Sequence, residues 1–232
     1  MKNNKIILIS ILTAMFIFGA MIISPSSSLA MTPSKRINSS ANVVREMSAQ
    51  NDVKTMAYLV KKSYGVVIIP SFYKAALGVG GSYGEGLVLR HNPNTGRWYG
   101  PSFMNITGAS YGFQVGVQST ALLLVITNKR GMDHFYGDTV KLGANVDIAA
   151  GPVGRSAGAG TDINLKASIY SYSISRGLFA GVSLGGSVMS TDESANASYW
   201  GSKYNSRTIL QKQASGNKVK LLLAALNRLS RK

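Results

Sequence analysis

The chain has 232 residues, 45% of them apolar, with 25 Lys or Arg against 9 Asp or Glu and a formal charge of +16. That length and apolar content exclude a wholly disordered chain and suit one domain with appendages, while the absence of Cys excludes disulfides, zinc ribbons, thiol catalysis and a lipid anchor through an N-terminal Cys. The basic excess suits an anionic partner such as lipid head groups, nucleic acid or an acidic polymer, or serves solubility alone.

Lys2 and Lys5 precede an apolar run from Ile6 to Ile23, followed by small residues at Ser28 and Ala30. This is the pattern of a secretory signal cut after Ala30. The run is also long enough to span a bilayer, so an uncleaved anchor over 6–23 is the competing reading. Both place the rest of the chain outside the cytoplasm, in the periplasm or envelope.

Residues 35–64 read as two helices. Ile37, Ala41, Val44 and Met47 recur at helical spacing, and Asn51 or Asp52 can cap a second helix carrying Val53, Met56, Ala57 and Val60. Lys54, Lys61 and Lys62 fall among its polar positions. The pair either covers one side of a sheet or forms a basic surface that touches membrane.

A β core is expected over 65–190. Val66–Ile69 reads as a short strand ending at Pro70, and 77–90 as extended. A turn at Asn92–Gly96 leads to a return at Arg97–Pro101, and 102–108, 110–119 and 120–127 are further strand candidates. Asn128 can cap a short helix to about Tyr136. Residues 141–148 and 162–169 alternate polar and apolar, as half-buried strands do. Leu178–Met189 reads as the last strand, and Asp192 can cap a helical piece containing Tyr199 and Trp200. Residues 202–217 are polar and weakly patterned, so they read as a linker. Residues 218–232 form a basic amphipathic helix with Val219, Leu222, Leu223, Leu226 and Leu229 as its stripe and Lys218, Lys220, Arg228, Arg231 and Lys232 as its charges.

The 25 glycines cluster in the middle of the chain and recur at even spacings, as at Gly78 and Gly80, Gly84 and Gly86, and Gly177, Gly181 and Gly185. On a strand such spacing leaves one face without side chains. Close packing or sharp curvature explains this better than a ligand groove. No G-x-G-x-x-G stands between a clean strand and a helix, and G-x-x-x-x-G-K-[ST] does not occur, so a nucleotide loop is rejected.

Residues 64–201 resemble the SYLF domain. The signatures are Gly65-Val66-Val67-Ile68-Ile69-Pro70-Ser71, Gly80-Gly81-Ser82-Tyr83-Gly84-Glu85-Gly86, Gln114-Val115-Gly116-Val117-Gln118-Ser119-Thr120, Ala149-Ala150-Gly151-Pro152-Val153-Gly154-Arg155 and Arg176-Gly177-Leu178-Phe179-Ala180-Gly181-Val182-Ser183-Leu184. Asn196-Ala197-Ser198-Tyr199-Trp200-Gly201 is similar to the family's closing Asn-x-x-Tyr-Tyr-Gly, with Trp200 in place of Tyr. The resemblance implies phospholipid binding, with phosphoinositides preferred by eukaryotic members and actin bound by some yeast members. For an exported protein the expected lipid is instead an anionic envelope lipid such as phosphatidylglycerol, cardiolipin or lipopolysaccharide.

Catalysis is not expected. His91 and His134 read as surface residues, no spacing suggests a metal site, and no Gly-x-Ser-x-Gly elbow occurs. Glu85, Asp138, Asp147 and Asp162 read as members of a structural ion-paired network around Arg155.

The expected fold is therefore α+β and mostly β: a Gly-rich antiparallel sheet, closed or folded into a barrel or sandwich. N-terminal helices and one short internal helix pack on it, and a C-terminal amphipathic helix follows. The expected limits are a signal at 1–30, a SYLF-like domain at 31–201, a linker at 202–217 and a basic helix at 218–232. The expected lipid contacts are Lys54, Lys61, Lys62, Lys218, Lys220, Arg228, Arg231 and Lys232, with apolar residues of the terminal helix inserting shallowly. The structural motif residues are Gly80, Gly81, Gly84, Glu85, Gly86, Asp147, Gly151, Pro152, Gly154, Arg155, Asp162, Gly177 and Gly181. No cofactor, metal or nucleic acid is expected. The alternative is a self-associating envelope protein acting through smooth Gly faces and exposed Tyr170 and Tyr172. A membrane-spanning barrel is a third reading, which the helices and polar linker oppose.

Overall fold

The computed structural model describes residues 30–153, 166–175 and 177–232, with the backbone alone described at 76–79 and 110–116. Two helices open it. In α1 (Pro33–Ser48) Pro33 takes the first turn and the Thr32 hydroxyl caps it by accepting the Lys35 N–H at 3.3 Å. Its buried stripe holds Ile37, Ala41, Val44 and Met47. In α2 (Lys54–Lys62) the buried stripe is Met56, Ala57, Leu59 and Val60.

Next comes a long hairpin of β1 (Gly65–Asn92) and β2 (Arg97–Ile126), paired from Gly65 with Ile126 to Asn92 with Arg97. Pro70 does not end a strand: it lies in a register shift between Ile69 and Phe72, a bulge that carries the chain past the missing N–H. The three strand candidates after Pro101 are likewise one strand.

β1 also folds back on itself. The Tyr64 carbonyl accepts the His91 N–H at 2.8 Å. A Cβ on Gly65 would lie 2.8 Å from the Leu89 carbonyl oxygen, and one on Gly84 would lie 2.9 Å from that of Ser71. A Cβ on Gly86 would collide with the Ile68 carbonyl. The two halves of β1 therefore run side by side and antiparallel, and the ribbon doubles over through the Gly-rich stretch, where Gly78 is paired with Gly112.

Five short strands complete one seven-stranded sheet: β3 (Thr139–Lys141), β4 (Ile148–Ala150), β5 (Ile169–Ser175), β6 (Leu178–Gly181) and β7 (Val188–Thr191). β2 pairs with β7 through Met104–Thr107 and with β5 through Ala121–Ile126; β3 pairs with β7, and β4 and β6 with β5. The sheet is curled but open, not a closed barrel, and the β4–β5 pair is parallel where an antiparallel sheet was expected.

Both faces of the sheet are covered. Val66, Ile68, Leu123 and Val125 pack with the helices on one side; Val67, Ile69, Leu122 and Leu124 pack on the other with Met132, Phe135, Val140 and Met189. Double burial explains the unbroken apolar runs at 66–69 and 122–126. Met132 belongs to the short internal helix α3 (Lys129–Asp133), capped by the Asn128 side chain at 2.7 Å, and Phe135 to the 3-10 turn at His134–Tyr136.

Other expectations need correction. Residues 141–148 are not one strand. Gly143, at φ 83°, and the Asn145 N–H to Lys141 carbonyl bond of 2.9 Å make a turn between β3 and β4. Of the second alternating segment, 162–165 lies outside the described residues. Leu178–Met189 divides at Gly186, at φ 84°, into β6 and β7.

The 202–217 segment is no free linker. It holds α5 (Ser206–Ile209), buries Ile209 and Leu210, and bonds to β2 through Gly100 N–H to the Lys212 carbonyl and Ala214 N–H to the Trp98 carbonyl, each 2.9 Å. Beyond α4 (Glu193–Trp200) and α5, the last helix is α6 (Lys220–Leu229). It packs mainly on α1 and also on α2.

Candidate functional site

The stripe of α6 dictates how it sits. Val219, Leu222, Leu226 and Leu229 are wholly buried in the core that α1 and α2 share. The charged residues therefore point outward, and Lys218, Lys220, Arg228, Arg231 and Lys232 are all exposed. Lys54, Lys61 and Lys62 of α2 are exposed too, as are Lys35 and Arg45 of α1. The exposed carboxylates of this layer are Glu46 and Asp52. Among the described residues, none of these ten cations makes an ion pair within 4 Å.

Arg45, Ser48, Ala49, Ala225, Arg228 and Lys232 line a cleft of about 270 Å³ where the end of α1 meets α6. The Lys232 ammonium donates to the Ser48 carbonyl at 2.6 Å, at the negative end of the α1 dipole. Three of the six lining side chains are cationic and none is acidic, so the cleft is chemically suited to an anionic oxygen group. Val219, Leu222, Leu226 and Leu229 of the α6 stripe are already used in the core, which leaves Leu221 as the most exposed leucine of the helix for the expected shallow insertion. Leu221, 59% exposed, and Tyr58 are the large apolar side chains that the layer leaves open.

A second cluster lies under the layer. Arg36 is 1% exposed and contacts Glu85 at 3.2 Å and Asp192 at 2.9 Å. Its guanidinium also donates to the Gly86 carbonyl at 3.4 Å and stands 5.6 Å from the centre of the Phe103 ring. Glu85 accepts from the Tyr83 hydroxyl at 3.0 Å and from the Met31 N–H at 2.7 Å. Tyr83 is 45% exposed, and partial desolvation of its hydroxyl, helped by the Glu85 hydrogen bond, pushes the phenol up to about 12. Burial also pushes the Asp192 carboxyl up, but the Ala195 N–H, the Ser194 hydroxyl and Arg36 outweigh it and hold the group below its usual value.

The network around Arg155 thus needs correction. Glu85 turns to Arg36, Asp138 and Asp147 are exposed, and Gly154, Arg155 and Asp162 lie outside the described residues. Gly80 and Gly81 pair in register with Ser110 and Ala109. Gly151 lies under the Tyr172 ring and Gly181 against Gly151, both too close for a Cβ. Pro152 accepts from the Tyr172 hydroxyl at 3.5 Å, and Gly177, at φ 79°, turns β5 into β6.

Tyr170 and Tyr172 are buried, so they cannot form the exposed contact surface expected of them. His91 is not a surface residue either. It is 6% exposed, stacks on Trp98 at 4.1 Å and contacts the Ser63 carbonyl through Nδ1 at 2.9 Å. Burial lowers its pKa against the opposing effect of that carbonyl.

The family model of Ysc84, described as a Las17-binding protein and actin regulator, matches residues 107–229. That is over half of the chain. The chain belongs to the Ysc84 family. The SH3 domain-containing YSC84-like protein 1 of Xenopus laevis is 34% identical over 145 residues, covering 62% of this chain and 43% of the frog protein. The Homo sapiens protein of the same name is 33% identical over 145 residues, covering 62% and 42%. Protein YSC84 of Saccharomyces cerevisiae is 34% identical over 157 residues, covering 66% and 33%. The chain thus aligns with less than half the length of each of these relatives.

The Ysc84 match runs on to Leu229 and so takes in α5 and α6, beyond the sequence motifs that ended at Gly201. Its closing motif has a clear structural use. The Asn196 side chain accepts the Phe103 N–H at 2.8 Å and donates to the Phe103 carbonyl at 3.2 Å, as a neighbouring strand would. Tyr199 meets the Phe103 ring edge-on at 5.4 Å, Trp200 donates to the Pro101 carbonyl at 3.1 Å, and Gly201, at φ 70°, ends the helix. Trp200 thus supplies a hydrogen bond from its indole N–H.

Proposed function

We propose that this Ysc84-family chain is a non-catalytic membrane-binding protein that lays the outer face of α1, α2 and α6 on an anionic phospholipid surface. The observation that carries the reading is the cleft between α1 and α6, which Arg45, Arg228 and Lys232 line without an acidic side chain. The helical layer as a whole carries ten exposed cations, these three among them, against two acidic side chains. Each Lys or Arg near an anionic surface contributes about 1 kcal/mol. A few of them suffice for binding, and the contribution falls with salt. The contact is electrostatic, with Leu221 and Tyr58 as its small apolar part. Given the leader read from the sequence, the membrane is one of the cell envelope and the lipid an anionic envelope phospholipid.

Sedimentation with liposomes tests this. The protein pellets with vesicles containing phosphatidylglycerol at low salt and is released as salt rises. Equal binding to purely phosphatidylcholine vesicles at high salt contradicts the reading. A second reading draws on the family description, which names Las17 and actin regulation. In that case the same basic face meets an acidic protein surface, and cosedimentation with actin filaments in place of vesicles supports it.

A further inference from the structure

We infer that cleavage of the leader after Ala30 does more than release the chain: it creates an α-ammonium at Met31 that completes the buried Arg36–Glu85–Asp192 cluster. Two carboxylates here face a single guanidinium, which leaves one negative charge over. Among the described residues, Arg36 is the one side-chain cation within ion-pair distance of either acid. Buried charges persist when they are paired, so the cluster lacks one positive charge.

The position that can supply it is already in place. The Met31 nitrogen lies 2.7 Å from Glu85 Oε2, the distance of a charge-assisted bond. The compact unit of the fold begins at that residue. The Met31 carbonyl accepts from Arg36 at 3.5 Å, so the residue is held from both sides. The small residues Ser28 and Ala30 put the cleaved bond just before it.

The chemistry is hydrolysis by a signal-removing peptidase. One water adds across the Ala30–Met31 amide, the C–N bond breaks, Ala30 leaves with a carboxylate, and the Met31 amine takes up a proton. An amide N–H then becomes an ammonium, and the cluster becomes neutral. The ammonium also sits just before the start of α1, where the helix dipole disfavours a cation, and the Glu85 carboxylate offsets that cost.

The experiment uses the full chain expressed in an exporting bacterium. N-terminal sequencing of the recovered protein should begin at Met31. Its α-amine should react with an amine-specific acylating reagent at neutral pH on the order of tenfold more slowly than in Glu85→Gln, since one unit of pKa is a factor of ten. If Glu85→Gln does not fold, the comparison is made between the native protein and the same protein in urea, where the protection should vanish. A different N-terminus, or equal reactivity with and without Glu85 or in native and unfolded protein, overturns the inference. Vesicle binding plays no part in this readout, so its outcome is independent of the lipid reading.

Discussion

Arg36 has its partners far off in the chain, with Asp192 lying 156 positions away. Replacing it with Ala leaves the partly buried Asp192 without a cation and Glu85 with the Met31 nitrogen alone, so Arg36→Ala should lower stability by about 3–5 kcal/mol, as read by urea denaturation. His91 makes the other prediction at this scale. Burial depresses its folded pKa below the ordinary 6.5, so the fold holds it neutral while the unfolded chain takes up a proton. Stability from this site is present above about 6.5 and falls as the pH drops below it. The melting temperature should therefore decline between about pH 6.5 and 5, and His91→Phe should flatten that decline. Asp192 loses its contribution only at more acidic pH, as its lowered folded pKa is reached.

Neither residue's role was legible from its type. Arg36 shares the buried face of α1 with Ser40, Val43 and Met47, and that helical spacing was the one available sign that it points inward. The pairing itself depends on how β1 folds, which no local pattern encodes. His91 stands beside a turn, where histidines usually meet water, yet the fold-back of β1 seals it under Trp98.

At the scale of elements, the glycines separate by what surrounds them. A Cβ on Gly86 would meet the Ile68 backbone, while one on Gly185 would meet open space. Gly86→Ala should therefore cost about 1–3 kcal/mol, and Gly185→Ala close to nothing, in chemical denaturation. Equal effects would remove the close-approach account of the fold-back. The helices were readable because their stripes hold over several turns. The strands were readable where apolar runs were unbroken, and misread where alternation ran through the turn at Gly143 or where one strand was drawn across the turn at Gly186. The 202–217 strap was missed because three apolar residues, Ile209, Leu210 and Ala214, anchor an otherwise polar stretch.

At the scale of the molecule, the chain carries a formal charge of +16, and ten of its cations are exposed on the layer formed by α1, α2 and α6. The sequence named eight of those cations from two amphipathic helices. It could not place the two helices on one layer, nor add Lys35 and Arg45 of α1, because that requires knowing that the α6 stripe packs against α1. The layer's stripe is spent on the core, so its charges are what remain for a partner. The most direct test reverses them. Arg228→Glu, Arg231→Glu and Lys232→Glu together lie on exposed positions, so the triple variant should melt within a few degrees of the parent. Sedimentation with phosphatidylglycerol vesicles at low salt should show at least about tenfold weaker binding for this variant, the loss of contributions of about 1 kcal/mol each; binding equal to that of the unsubstituted protein would contradict the account.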